Sequence, residues 1–304
     1  MFCIGHRQSW RHKESIIDHS EVLIGLAALI AAGWLGGWYL LRLGRHTASS
    51  PRLRRPVQQA HGRLAAWSPR LAGWLEARFN PRVATGLPLT LLLAAAAYTV
   101  MLMFDLVEEV VEGEEAQAMD DMVNEALAPL RSDVVVLVFR FITEFGNNST
   151  LSAVALVATG FLWAHRRYAD IGPMWLCIVG TQLVTWGGKY GFGRERPDFL
   201  VDAVAHSPSF PSAHSAGSMA VYGFVAFAIA RPLASPTHRY HLFAGCVTVV
   251  GLVAFSRMLL SVHFLTDVAA GLLVGLFWLL ISICLREWLV QRLPAGARPR
   301  EGEL

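Results

Sequence analysis

The chain has 304 residues, of which 54% are hydrophobic and only 16% are charged, and its mean hydropathy is +0.42. A soluble domain carries about 25% charged residues, so this composition favours a polytopic membrane protein. The net charge is only +3, and no basic face interleaved with aromatic residues is visible, which excludes nucleic acid as a partner. The four cysteines are too scattered for a disulfide framework.

Seven apolar segments predict membrane-spanning helices, because lipid cannot satisfy the hydrogen bonds of an open backbone. Most of them approach the length of about 20 residues that crosses the hydrocarbon layer, and the third lies near the lower limit. We therefore predict an all-α polytopic membrane bundle with a six-span core and one extra N-terminal span. The predicted spans are 22–41, 88–107, 149–165, 171–188, 215–231, 241–257 and 265–286.

Four regions are predicted along the chain: a tail with the extra span (1–50), a basic amphipathic linker (51–85), the six-span core (86–290) and a cytoplasmic tail (291–304). The first span has a basic N-terminal flank, which resembles the start of a signal peptide. Its apolar run continues to Leu41, and nine arginines lie in residues 42–85. We interpret it as a retained anchor.

The distribution of arginine also predicts the orientation of the chain. The arginine-rich loops and the C-terminus are expected on the cytoplasmic side, whereas 105–130 contains no lysine or arginine. Segments 105–148, 189–214 and 258–264 would then share the opposite face. Four cations of the motifs described below break this rule locally, which makes them candidates for function: Lys189, Arg194, Arg196 and Arg257.

Segment 105–125 carries nine acidic residues. We interpret it as a solvated, partly helical stretch outside the membrane. A divalent-ion site is the alternative, but no ligand spacing supports it.

Three short motifs lie at the ends of the apolar segments. The first runs from Lys189 to Pro197; its glycines Gly191 and Gly193 are expected to loosen the backbone, and Pro197 stops the helix. A lysine that reaches the membrane surface, followed by a basic turn, is the simpler alternative.

The second motif is Phe210-Pro211-Ser212-Ala213-His214, just before an apolar run. Ser212 is a natural N-cap, and the free N–H groups of a first helical turn form an anion site. His214 can act there as an acid or a base. A plain Pro-Ser cap is the alternative.

The third motif comprises Ser256, Arg257, His263 and Asp267. His263 and Asp267 are four residues apart and hence share one helix face. A carboxylate that holds a histidine in one tautomer makes its other nitrogen nucleophilic. The alternative is a helix-capping aspartate beside an interfacial histidine.

Together these residues resemble the three-part signature of the type 2 phosphatidic acid phosphatase family, the membrane lipid phosphate phosphatases. The resemblance covers roughly 86–290 and includes Ile142–Gly146 as the approach to the core. The family usually has Gly at the position of Ala213, and an ordinary helix-start conformation accepts either residue. The matching pattern is Lys189-x6-Arg196-Pro197, Pro211-Ser212-Ala213-His214 and Ser256-Arg257-x5-His263-x3-Asp267.

The resemblance implies a phosphohydrolase of lipid phosphates that needs no metal and no other cofactor. Lys189, Arg196 and Arg257 would neutralise the phosphoryl oxygens, with Ser212 and the first-turn amides, including that of Ala213, completing the cradle. His263 would form a phosphohistidine, Asp267 would orient it, and His214 would protonate the leaving oxygen.

Several substrates and two other functions stay open at this point. Undecaprenyl diphosphate, phosphatidylglycerophosphate, phosphatidic acid and lipid A phosphates all suit a site on the outer face of a bacterial inner membrane. A lipid A phosphatase or phosphotransferase is therefore an alternative. A vanadate-dependent haloperoxidase is disfavoured by the apolar spans, and a non-catalytic lipid-phosphate binder by the complete motif.

Overall fold

The computed structural model describes residues 19–48, 68, 73, 87–197 and 207–292, and these contain helices and no strand. The prediction of an all-α membrane bundle is confirmed. Most of the predicted linker 51–85 and nearly all of the tail 291–304 lie outside the described residues. The α-helices in the described part are α1 (His19–Ala48), α2 (Leu87–Glu112), α3 (Glu114–Leu127), α4 (Asp133–Thr143), α5 (Asn148–Ala164), α6 (Tyr168–Phe192), α7 (Ala213–Ala230), α8 (Pro236–Leu259) and α9 (Leu265–Arg292).

Five helices in the described part are long and apolar enough to cross a membrane: α1, α2, α7, α8 and α9. α5 is apolar but has only 17 residues. α6 has 25 residues, yet it carries Asp170, Gln182 and Lys189 among its apolar side chains. Each of the seven predicted segments lies in a helix, except for the last residue of 149–165 and of 215–231. Five of these helices are both long and apolar enough for a span.

The first motif begins inside a helix rather than after one. Lys189 lies in the last turn of α6, Gly191 is helical, and Gly193 is the C-cap with φ +63°. Glycine adopts this left-handed conformation more readily than residues with a Cβ atom. The expectation of a loosened backbone was therefore wrong for Gly191, and Gly193 ends the helix.

Helices α7 and α9 approach each other closely at the ends that carry the second and third motifs. A Cβ atom on Gly271 would lie 2.4 Å from the Ser212 carbonyl oxygen, and one on Gly275 would lie 2.5 Å from that of Ala216. Small residues four apart allow helix backbones to approach in this way. As a result the Ser212 N–H donates to the Asp267 carbonyl oxygen at 3.0 Å, which joins the starts of the two helices.

The predicted extra span, α1, packs against α8. The indole N–H of Trp34 donates to Thr248 Oγ1 at 2.9 Å, and the rings of Trp34 and Trp38 stack on that of His241. This contact holds α1 against the helix that ends near Arg257.

The acidic segment forms the last turns of α2 and most of α3, and eight of its nine acidic side chains are exposed. The interpretation as a solvated stretch was wrong for the ninth, Asp120, which is 1% exposed. In the part of the chain that the structure describes, no group of three or more His, Cys, Asp or Glu side chains could hold a metal ion.

Candidate active site

Four helix ends bring the three motifs to one place. Lys189 ends α6, Ser212 begins α7, Arg257 lies in the last turn of α8, and Asp267 lies in the first turn of α9. His263 occupies the tight turn between α8 and α9, where its backbone N–H donates to the Arg257 carbonyl oxygen at 3.2 Å. All eight residues predicted from the motifs therefore lie in one cluster.

His263 and Asp267 form a buried pair. His263 is 3% exposed and Asp267 is fully buried, and Nδ1 of His263 lies 3.3 Å from Oδ2 of Asp267. Nη1 of Arg196 lies 3.3 Å from Nε2 of the same ring. A guanidinium only donates, so this contact makes Nε2 an acceptor and places the ring proton on Nδ1, toward Asp267. The unprotonated nitrogen, Nε2, therefore faces the cations.

The surroundings of His263 disfavour its charged form. Burial first, and then the positive charges of Arg257, Arg196 and Lys189, hold its pKa well below the ordinary histidine value. A neutral imidazole is the form that can act as a nucleophile. Burial also lowers the pKa of Arg196, against the opposing effect of Asp267, although a guanidinium stays charged at neutral pH.

Three of the motif cations have only neutral hydrogen-bond acceptors among the described residues, and apart from Nε2 of His263 these are oxygen atoms. Lys189 Nζ donates to the carbonyl oxygens of Pro208 and Ser209. Arg196 donates to the carbonyls of Ser207 and Val262 at 2.9 and 2.8 Å. Within the described residues, no carboxylate lies within ion-pair distance of Lys189, Arg196 or Arg257.

Arg257 has an unused donor. Its Nη1 donates to Thr143 Oγ1 at 2.8 Å, whereas its Nε is buried without a hydrogen-bond partner. Thr143 belongs to the Ile142–Gly146 segment that the resemblance included. The same segment contacts His214, because a Cβ on Gly146 would lie 3.2 Å from the His214 Cβ.

The start of α7 is formed as the sequence predicts, with one difference. Ser212 is the N-cap residue, but its side chain makes no capping hydrogen bond and its Oγ instead accepts from Ser215 at 3.1 Å. Ala213 is the first helical residue, and its φ is not positive. Alanine therefore fits here without strain.

Two residues of the cluster were missed from the sequence. Arg194 donates to Asp267 Oδ1 and to Asp120 Oδ2, both at 2.8 Å. The sequence marks Arg194 only as a cation on the unexpected side of the membrane, and Asp120 only as one of nine acidic residues in 105–125. No local signal in the sequence separates Asp120 from its neighbours, since α3 contacts the site through tertiary packing.

An apolar cavity of about 460 Å³ adjoins the second motif. Its walls come from α2, α6 and α9, with Phe104, Val184 and Val274 among the lining residues. Phe210 and Pro211 also line it, and these two residues lead directly into Ser212.

The region that matches known proteins includes the site. Residues 171–291 match the model of the PAP2 superfamily, and this segment contains all eight predicted site residues. This match confirms the resemblance that the three motifs predict. The prediction of a membrane phosphatase is thereby confirmed.

The chain is also similar to individual proteins. The chain is 29% identical over 182 residues to phosphatidylglycerophosphatase B of Bacillus subtilis (strain 168), which covers 59% of this chain and 88% of the relative. It shares a fold with the crystal structure of a transmembrane PAP2 type phosphatidylglycerolphosphate phosphatase from Bacillus subtilis, with a TM-score of 0.60 and 24% identity. That match covers 66% of this chain and 98% of the other. A crystal structure of Aquifex aeolicus LpxE matches with a TM-score of 0.42 at 24% identity, over 57% of this chain and 96% of the other.

Proposed function

We propose that the protein hydrolyses lipid phosphates or diphosphates without a metal ion, through a phosphohistidine intermediate on His263. The observation that carries this proposal is a set of three cations beside the His263–Asp267 pair, Lys189, Arg196 and Arg257, which have only neutral acceptors among the described residues.

Cations grouped in a half-buried site are costly when, among the described residues, no carboxylate forms an ion pair with them, because nearby Asp267 offsets their desolvation and mutual repulsion only in part. A bound phosphate group with its two negative charges offsets that cost. Phosphoryl transfer depends mainly on positioning and on stabilising charge on the equatorial oxygens. Three fixed cations and the uncapped amides at the start of α7 supply that stabilisation, which is the role a divalent ion has in other phosphatases.

The geometry supports a two-step reaction. In the first step Nε2 of His263 forms a bond to phosphorus while the bond from phosphorus to the leaving oxygen breaks, and His214 donates its proton to that oxygen. Asp267 stabilises the charged ring through Nδ1–H. In the second step His214 takes a proton from water, the resulting hydroxide attacks phosphorus, and the bond to Nε2 breaks to release phosphate.

The apolar cavity beside Phe210 and Pro211 supports an amphiphilic substrate. Such a cavity can hold part of an acyl or prenyl chain while the head group lies among the cations. The relative in Bacillus subtilis is named phosphatidylglycerophosphatase B, so phosphatidylglycerophosphate is the first substrate to test. Phosphatidic acid, undecaprenyl diphosphate and lipid A phosphates complete the panel.

The test is phosphate release by the purified full-length protein in detergent micelles from each lipid of that panel, with and without a chelator. We expect turnover of at least one lipid phosphate at a rate that the chelator leaves unchanged, and inhibition by orthovanadate as a phosphate mimic. Loss of activity with the chelator, restored by a divalent ion, would contradict the metal-independent mechanism. Release from no lipid on the panel would contradict the function itself.

We also propose that the protein lies in a bacterial inner membrane with the site on the extracytoplasmic face, since the arginine-rich loops favour the cytoplasm. Ala118 in α3 and Ala164 at the end of α5 are both exposed, and the predicted topology places them on opposite sides. In intact cells an impermeant thiol reagent should label Ala118→Cys and should label Ala164→Cys only after lysis. The reverse pattern would move the site to the cytoplasmic face.

A further inference from the structure

Arg194 joins two carboxylates that come from different helices. Its Nη1 lies 2.8 Å from Asp267 Oδ1, and its Nη2 lies 2.8 Å from Asp120 Oδ2. Asp267 begins α9, whereas Asp120 lies in α3, the acidic helix outside the three motifs. The arginine also lies over the ring of Phe264, 4.5 Å from its centroid. Its guanidinium is therefore held in one orientation from several sides.

This contact divides the two oxygens of Asp267 between different partners. Oδ1 accepts from Arg194, while Oδ2 faces Nδ1 of His263 at 3.3 Å and accepts the Phe264 N–H at 3.0 Å. Rotation of the carboxylate would break the Arg194 contact, so Arg194 keeps Oδ2 directed at the histidine.

Asp120 fixes the other side of the arginine. Its Oδ1 accepts the Thr266 N–H at 3.0 Å, and its Oδ2 accepts the Thr266 hydroxyl at 2.6 Å. Thr266 precedes Asp267, so the same carboxylate holds both Arg194 and the first turn of α9. Since Asp120 neutralises Arg194, the negative charge of Asp267 remains available to a positively charged His263.

We propose that Arg194 and Asp120 are positioning residues of the phosphatase, which hold the Asp267 carboxylate toward His263. Helix α3 thereby becomes part of the active site, although it lies outside the segment that matches the PAP2 model. The proposal rests on the proposed function, because it assigns a task to the His263–Asp267 pair.

The decisive experiment is a double-mutant cycle in the full-length protein, assayed in micelles on the panel lipid that the wild type hydrolyses. The variants are Arg194→Gln, Asp120→Asn and both together, with Asp121→Asn as the matched control because Asp121 is an exposed neighbour. Thermal unfolding of each variant reports whether it is folded, and Arg194→Lys provides a second substitution that keeps the charge.

Arg194→Gln should lower kcat about a hundredfold with little change in KM, because the carboxylate loses its orientation and faces Asp120 without a cation between them. Removing the Asp120 charge as well relieves that repulsion. The double variant should therefore recover kcat about tenfold relative to Arg194→Gln, a coupling within the usual range for contacting residues. Arg194→Lys should retain more activity than Arg194→Gln, and Asp121→Asn should match the wild type.

Losses that simply multiply in the double variant, or a rise in KM at unchanged kcat, would overturn the positioning role. The variant His263→Ala tests the proposed function separately from the positioning role of Arg194. If His263→Ala keeps its activity, the catalytic pair itself is wrong, whereas an inactive His263→Ala beside a fully active Arg194→Gln refutes only the role of Arg194.

Discussion

The two ends of the bundle both bury charged side chains, but they pair them differently. At the end away from the site, Arg286 and Arg167 lie 2.6 and 2.7 Å from the two oxygens of Asp170. Arg231 and Arg286 lie 2.9 and 3.1 Å from Glu287. Every arginine of this cluster has a carboxylate partner. Arg286 follows Asp267 by 19 residues along α9, which corresponds to about 28 Å along a helix.

Among the described residues at the site end, Arg194 is the one motif cation that forms an ion pair with a carboxylate. Arg194 takes both of the nearby carboxylates, Asp120 and Asp267, which leaves Lys189, Arg196 and Arg257 with neutral acceptors. The far cluster is typical of a structural network between helices. The contrast indicates that charge without a partner, rather than charge in a membrane protein as such, marks the place where a ligand binds.

The largest effect is expected from the histidine at the site end. His263→Ala should lower kcat by at least about 10⁴-fold, because it removes the nucleophile that the whole cluster serves. The control is His241→Ala, a histidine that stacks on Trp34 and Trp38 toward the other end of α8, and its kcat should be unchanged. Comparable losses in both variants would mean that His263 matters for folding rather than for catalysis.

Arginine substitutions at the two ends should have opposite consequences. Arg257→Met should lower kcat about 10³-fold, as expected when a charge-stabilising donor is lost, while the ligand-free protein keeps or gains stability. Arg286→Met should instead destabilise the protein by about 3 kcal/mol, because it leaves two buried carboxylates with less compensation. Its kcat per folded molecule should remain near the wild-type value.

The measurements are lipid phosphate turnover and thermal unfolding of Arg257→Met and Arg286→Met. A destabilised Arg257→Met variant with normal turnover, or an inactive but stable Arg286→Met variant, would reverse the roles assigned to the two clusters.

A smaller effect is expected on the pH dependence. The pKa of His263 is held well below its ordinary value by burial and by Arg257, Arg196 and Lys189. Lys189→Gln removes one of these positive charges, so the imidazolium becomes less unfavourable and the pKa rises. Since the neutral ring is the nucleophile, activity in this variant should be lost at a higher pH than in the wild type as the solution is acidified.

The measurement is the acid limb of kcat/KM for the two proteins with the same lipid, so that ionisation of the substrate cancels. An acid limb that stays in place, or that moves to lower pH, would show that Lys189 does not influence the ring.

The helices and the cluster of eight motif residues could be predicted from the sequence, because apolar runs, charge asymmetry and residue spacing are local properties. The burial of Asp120 could not be predicted, because its sequence neighbours are equally acidic and its burial depends on where α3 packs. The sequence also assigns no role to Arg194, because its two partners lie 74 and 73 residues away along the chain. Gly271 and Gly275 appeared only as part of an apolar run, although their close contacts with α7 join the second and third motifs.

The central claim is that His263 accepts the phosphoryl group of a lipid phosphate. The most direct test is to mix the wild-type protein with ³²P-labelled lipid phosphate, quench within the first turnover in alkali and map the labelled peptide. We predict acid-labile label on His263 and none in His263→Ala. Label on another residue, or a wild type that releases phosphate but carries no acid-labile label, would contradict the account.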